Sequence, residues 1–261
     1  MNILDVTALT RSFGGLTAVS DVDLTLEKGE LVGLIGPNGA GKTTVFNLLT
    51  GVYPPSSGTI VFTAGGKTQS IGGKAPYAIC RAGVGRTFQN IRLFKDLTVL
   101  ENVMIAYQQN ERYPLLASFL RPPRFARSED QIRQGALELL QVMHLDHKAA
   151  EYAVNLSYGE QRHLEIARAL ATGPTLLLLD EPAAGMNPTE TANLTRLITQ
   201  IRRDFGLTIL LIEHDMSLVM QICERIYVLD HGIVISSGTP DEVRADPKVI
   251  EAYLGEEVDH A

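Results

Sequence analysis

The stretch LVGLIGPNGAGKTTVFNLLTG, residues 31–51, decides the fold. LVGLI at 31–35 is wholly apolar, as expected for a strand buried on both faces. KTTVFNLLT at 42–50 reads as a helix, closed by Gly51. Between them, Gly36-Pro37-Asn38-Gly39-Ala40-Gly41-Lys42-Thr43 matches G-x-x-x-x-G-K-[ST]. Glycines at these spacings let successive backbone N–H groups turn inward around phosphate oxygens. The helix start adds its positive dipole end to that cradle. Lys42 is expected to reach the β- and γ-phosphates and Thr43 to ligate Mg²⁺, with Thr44 completing the lining. The loop predicts nucleotide binding, but it does not separate kinases, GTPases and motor ATPases.

Working outward, residues 3–9 and 19–27 alternate apolar and polar around RSFGG, as antiparallel strands do. After GVYPPSSG comes a short strand, TIVF, and then loops are expected. From about 96 to 172 the pattern turns helical, with breaks around Pro114, Pro122 and Pro123. Ser128 with Gln131 predicts a capped helix start, the helix lasting to about Met143. Strands return at 175–180 and 207–212, separated by a helix at 188–204. A helix at 215–224, a hairpin at 226–235 and two short helices follow. This order predicts an α/β fold: a nucleotide-binding core over 1–90 and 173–240 with an antiparallel β part, an inserted helical lobe at 91–172, and C-terminal helices at 241–261.

TLLLLDEP at 175–182 is an apolar strand ending in two carboxylates. Asp180 falls where α/β folds place ligands and can hold the Mg²⁺ that bridges two phosphates. Glu181 can orient or deprotonate an attacking water. Two adjacent carboxylates favour hydrolysis over transfer to a bound acceptor.

Composition narrows the class. The 261 residues are 45% hydrophobic and 20% charged, the balance of an ordinary globular chain. A net charge of −7 argues against nucleic acid as the main partner. Cys80 and Cys223, far apart, read as buried or incidental thiols in a reducing compartment. No window approaches the roughly 20 apolar residues of a membrane span, and MNILDVTALT lacks the features of a secretory signal. Any membrane association is therefore expected to run through another protein.

Leu156-Ser157-Tyr158-Gly159-Glu160-Gln161, ahead of RHLEIARALA, resembles the signature motif of ABC (ATP-binding-cassette) ATPases, usually written LSGGQ. Ser157 and Glu160 also fit a plain capping box, and a capped helix start is an anion site as well. The resemblance covers essentially the whole chain. It implies a P-loop NTPase core of RecA-like mixed sheet, an N-terminal antiparallel β subdomain and an inserted α-helical signature subdomain. It further implies that Phe13 stacks on adenine, that Gln89 is the Q-loop glutamine at the metal, and that His214 in LIEHD contacts the γ-phosphate. Ser157, Gly159 and Glu160 would face the nucleotide of a second subunit.

The chain departs from the usual pattern at Tyr158, at Glu160 and at Asn187, where most members carry glycine, glutamine and aspartate. EPAAGMNP, LSYGEQRHLEIAR, RTFQNIRLF and AYLGE resemble one branch, the ATP-binding subunits of branched-chain amino-acid importers. The basic, apolar segment at 107–127 fits that branch too. What this implies is an ATPase using ATP and Mg²⁺ and pairing with a second ABC subunit, a copy or a sister. It would dock on two membrane permeases at the inner face of the membrane and serve an external solute-binding protein indirectly. Lipopolysaccharide-export and urea or amide-import subunits are the related alternatives. A DNA-repair ATPase would need a long coiled coil, and a translation ATPase two cassettes.

Overall fold

A computed structural model describes residues 1–108 and 123–259. The 107–127 segment singled out above thus lies mostly outside the described residues. The chain divides into two compact units, Met1–Arg86 with Thr175–Ala261, and Thr87–Pro174.

In chain order, the first part of the larger unit carries β1 (Asn2–Phe13), β2 (Leu16–Glu27), β3 (Leu31–Ile35), α1 (Lys42–Leu49), β4 (Ser57–Ala64), β5 (Lys67–Ser70), α2 (Pro76–Ala82) and β6 (Val84–Arg86). The smaller unit carries α3 (Val99–Tyr107), α4 (Pro123–Val142) and α5 (Tyr158–Ala171). The chain then returns through β7 (Leu176–Asp180), α6 (Pro188–Phe205), β8 (Thr208–Ile212), α7 (Met216–Ile222), β9 (Arg225–Asp230), β10 (Ile233–Gly238), α8 (Pro240–Ala245) and α9 (Pro247–Asp259).

Two sheets build the larger unit. One is antiparallel, in the order β2-β1-β4-β5, and the other runs β10-β9-β3-β8-β7-β6. In the second, β3 pairs in parallel with β8 and β9, and β7 in parallel with β8 and β6. Every residue of β3, β7 and β8 is buried, the reason these strands read as unbroken apolar runs. Leu4, Val6, Leu24 and Leu26 of the antiparallel sheet share one core with Val32, Phe46, Leu178 and Leu210. The first two strands extend beyond the alternating 3–9 and 19–27, because pairing continues to the tip, Phe13 opposite Leu16.

In the smaller unit, α3 and α5 both open with reciprocal capping boxes, Thr98 with Glu101 and Ser157 with Glu160. The helix expected to start at Ser128 already includes that serine, spanning Pro123–Val142.

Candidate active site

The sheet order sets the site in the larger unit. Because β3, β8 and β7 are parallel neighbours, the loops after them leave from one edge of the sheet, where α/β folds bind ligands. The loop after β3 is Gly36–Gly41, which runs into α1. Gly41 caps that helix in the left-handed region at φ 101°, and a Cβ there would stand 2.6 Å from the Ala18 carbonyl of β2. Gly36 packs so closely on the Leu229 carbonyl that any side chain would collide with it. These glycines let the backbone itself form the cradle wall.

Lys42, the first residue of α1, is buried, and its Nζ donates to the Gly36 carbonyl at 2.6 Å and the Pro37 carbonyl at 2.7 Å. Its ammonium is thereby held against the loop. Thr43 is exposed at the same helix start and Thr44 half-buried.

Asp180 ends β7 with 2% of its surface exposed. Its Oδ2 accepts from Arg86 Nη2 at 2.8 Å, and Arg86 Nη1 reaches Asn47 Oδ1 at 2.7 Å and Thr50 Oγ1 at 2.9 Å. Arg86 therefore ties the last turn of α1 to the end of β7. Glu181 follows in the left-handed region, φ 46°, uncommon for a residue with a side chain. Its N–H bonds to the Ile212 carbonyl at 2.9 Å. Its Oε1 meets His214 Nε2 at 2.8 Å. The two residues expected to do chemistry at the γ-phosphate are thus in contact.

Glu213, between β8 and His214, is a further part of this arrangement. Buried, it accepts from the Ala183 N–H at 2.6 Å and the His214 N–H at 3.2 Å. Burial raises its carboxyl above the usual range, against the pull of those N–H groups. Glu213 joins the turn after Glu181 to the turn bearing His214. Neither Glu213 nor Arg86 was singled out from sequence. The signal for both was a charge directly against an apolar strand, in TILLIE and in VGR.

Phe13 stands at the hairpin tip, 38% exposed. The Arg11 guanidinium lies 4.5 Å over its ring, and Tyr53 meets it edge-on at 5.1 Å. Arg11 and Tyr53 join Phe13 as an aromatic–cation group that sequence reasoning reduced to one residue.

Gln89, Ser157, Gly159 and Glu160 belong to the smaller unit. Gln89 is exposed in an irregular segment after β6. Ser157 is the N-cap of α5, its hydroxyl accepting from the Glu160 N–H at 3.4 Å. Glu160 Oε2 accepts from the Ser157 N–H at 2.9 Å, and its Oε1 pairs with Lys148 at 2.7 Å. Partial burial pulls the Glu160 carboxyl upward, and Lys148 with Ser157 more than offsets it, leaving it below the usual range. The carboxylate that departs from the usual glutamine thus holds its own helix start. Asn187, the other departure, caps α6 by accepting from the Thr189 and Glu190 N–H groups, both at 3.0 Å. Asparagine and aspartate cap about equally well, so the helix does not require a carboxylate at this position.

Residues 19–184 match the family described as ABC transporter, and residues 234–259 match the branched-chain amino acid ATP-binding cassette transporter family. The high-affinity branched-chain amino acid transport ATP-binding protein LivG of Escherichia coli K12 is 49% identical over 254 residues, 97% of this chain and 98% of its own length. The corresponding BraF of Pseudomonas aeruginosa is 48% identical over the same coverage. Among solved structures, an ATP-binding cassette of an ABC transporter in its ADP conformation aligns with a TM-score of 0.83 and 31% identity. That alignment covers 98% of this chain and 99% of the other. With sheet order, phosphate loop and near-full-length similarity in agreement, this protein belongs to the ATP-binding-cassette transporter family.

Proposed function

We propose that this chain is the ATP-hydrolysing subunit of an ABC importer for branched-chain amino acids. The observation that carries the catalytic part is the 2.8 Å contact between Glu181 and His214 at the edge where the phosphate loop leaves the sheet. Glu181 orients the attacking water and accepts its proton, and His214 stabilises charge on the γ-phosphate. Phosphoryl transfer depends mainly on positioning and charge neutralisation, so held groups suffice where no strong base is present.

Gly36, Pro37, Asn38, Gly39, Ala40 and Gly41 wrap the phosphates with main-chain N–H groups. Lys42 supplies the fixed positive charge, Thr43 and Thr44 complete the lining, and Phe13 stacks on adenine. Ser157, Gly159 and Glu160 form the helix start offered to the nucleotide of a second subunit. The oxygen donors Thr43 and Asp180 suit a hard cation, and the buried Asp180 carboxylate at the strand end fits Mg²⁺. When bound, the metal neutralises phosphate charge.

The match at residues 234–259 and the 49% identity to a branched-chain amino acid transport protein support the solute class. Among the described residues no helix is long and apolar enough to cross a membrane. Two permease subunits, a second cassette and, indirectly, a solute-binding protein complete the assembly, with this chain peripheral on the inner face.

The test is uptake of labelled leucine, isoleucine and valine into vesicles carrying the assembled transporter with ATP inside the cytoplasmic compartment. Uptake that requires native chain and stops with Glu181→Gln is expected. ATP-driven movement of another solute, such as urea or lipopolysaccharide, would overturn the solute assignment.

A further inference from the structure

One face of α5 is built to hold a stretch of main chain. Tyr158, Arg162 and Glu165, spaced four and three apart, lie along the same side of the helix. Arg162 is wholly buried and Glu165 is 5% exposed, and they pair at 2.7 Å. Four further hydrogen bonds run from this pair to one irregular segment. Arg162 donates to the Phe88 carbonyl at 2.7 Å and the Gln89 carbonyl at 3.0 Å. Glu165 accepts from the Phe88 N–H at 3.2 Å and the Arg92 N–H at 3.4 Å. Arg162 also reaches back to the Tyr158 hydroxyl at 3.3 Å, inside the signature itself. One turn further on, Arg168 bonds the Arg92 carbonyl and lies 4.8 Å over the Phe94 ring.

A buried ion pair is a poor way to stabilise a helix contact, since well-packed apolar side chains serve as well or better. What these charges do that apolar residues cannot is fix main-chain N–H and carbonyl groups at defined points. We propose that Arg162 and Glu165 are positioning residues that fasten segment 88–94 by its backbone to the signature helix, so that Gln89, the exposed Phe94 and the nucleotide-facing start of α5 move as one piece. The inference rests on the transporter reading for its consequence, which is coupling of hydrolysis to transport, but not for its geometry.

Two variants test it. Arg162→Met combined with Glu165→Leu removes both charges together, which leaves no unpaired buried ion. Arg162→Lys keeps the charge but replaces the planar fork, which reaches Phe88, Gln89, Glu165 and Tyr158 from two nitrogens, by one ammonium whose three donors cannot serve all four. Amide hydrogen exchange on the isolated cassette is expected to quicken about tenfold or more at Phe88 and Arg92 in the double variant, at a melting temperature close to native. In the reconstituted transporter, leucine moved per ATP hydrolysed should fall about tenfold in both variants. Native exchange and native coupling in a folded variant overturn the proposal. Should the double variant not fold, Arg162→Lys decides by the same two readouts. If the native transporter moves no leucine, the solute reading fails while the exchange measurement still judges the fastening.

Discussion

At the scale of single residues, the site pairs held charges with a strained backbone. Glu181 takes φ 46° at the end of a buried strand, and conformations of this kind persist where the surrounding structure over-determines them. Here the Ile212 carbonyl, His214 and the Glu213 bridge to Ala183 do so. Glu181→Gln keeps shape and loses charge, so turnover should fall by about 10²–10⁴ while ATP still binds. Phosphate release measured beside an ATP titration checks this, and retained turnover would move the role elsewhere. Lys42→Ala should instead abolish turnover by weakening binding itself, because it removes the cation that the Gly36 and Pro37 carbonyls hold at the loop. Isothermal titration showing native affinity would contradict that. Lys42 was legible because its partners Gly36 and Pro37 lie in the same loop, and Asp180 and Glu181 because two carboxylates in a row end an unbroken apolar strand. Arg86 and Glu213 were not, because their partners Asp180 and Ala183 lie 94 and 30 residues away.

At the scale of elements, short-range chemistry was readable where it acted alone. Ser157 with Glu160 forms the expected capping box, and the same S/T/N-x-x-E pattern opens helices at Thr98, Asn187 and Thr239. Ser128 with Gln131 matches the pattern equally well yet lies inside a helix, with helical residues already before it. The junction after β6 is the most informative element. Asn102, fully buried, accepts from the Phe94 N–H at 3.0 Å and donates to the Phe94 carbonyl at 2.9 Å, yet the Phe94 side chain is 46% exposed. An aromatic held by its backbone, with Arg168 over one face of its ring and the rest exposed, suits a docking knob better than a core filler. Phe94→Asp should therefore leave folding and ATP binding near native and abolish co-purification with the permease subunits. Apolar anchors of this kind commonly carry about 2 kcal/mol or more of binding. A melting curve gives the deciding measurement: a collapse in stability would return Phe94 to the core.

At the scale of the molecule, the parallel strands β3, β7 and β8 were legible because they are buried on both faces and hence unbroken apolar runs; β6, three residues ending on Arg86, was not, and neither was strand order, since it depends on pairing between distant segments. β3 lies between β8 and β9, both from the far end of the chain. One ion pair belongs wholly to that long-range level. Arg225, the first residue of β9, donates from Nε and Nη2 to the two carboxylate oxygens of Glu30, each at 2.8 Å, across 195 residues. The same guanidinium reaches the Thr25 carbonyl at 2.8 Å, so it joins β2 of one sheet to β9 of the other. Partial burial pulls the Glu30 carboxyl upward, but Arg225 and the Glu27 N–H pull harder, and its pKa ends below the ordinary 4.5. A carboxyl depressed in the folded state contributes stability that is fully present above its unfolded pKa and is lost as pH falls through the lower folded value. Two-point geometry makes the pair stronger than a typical surface bridge, and its partial exposure keeps the contribution to about 1–2 kcal/mol. Glu30→Gln should therefore lower unfolding stability by that amount at neutral pH. The gap from native should hold down to about pH 5 and then close as Glu30 protonates in the native protein. Denaturant titrations at pH 7 and at successively lower pH measure the gap directly, and a gap that does not change with pH would show that the charge pair contributes nothing.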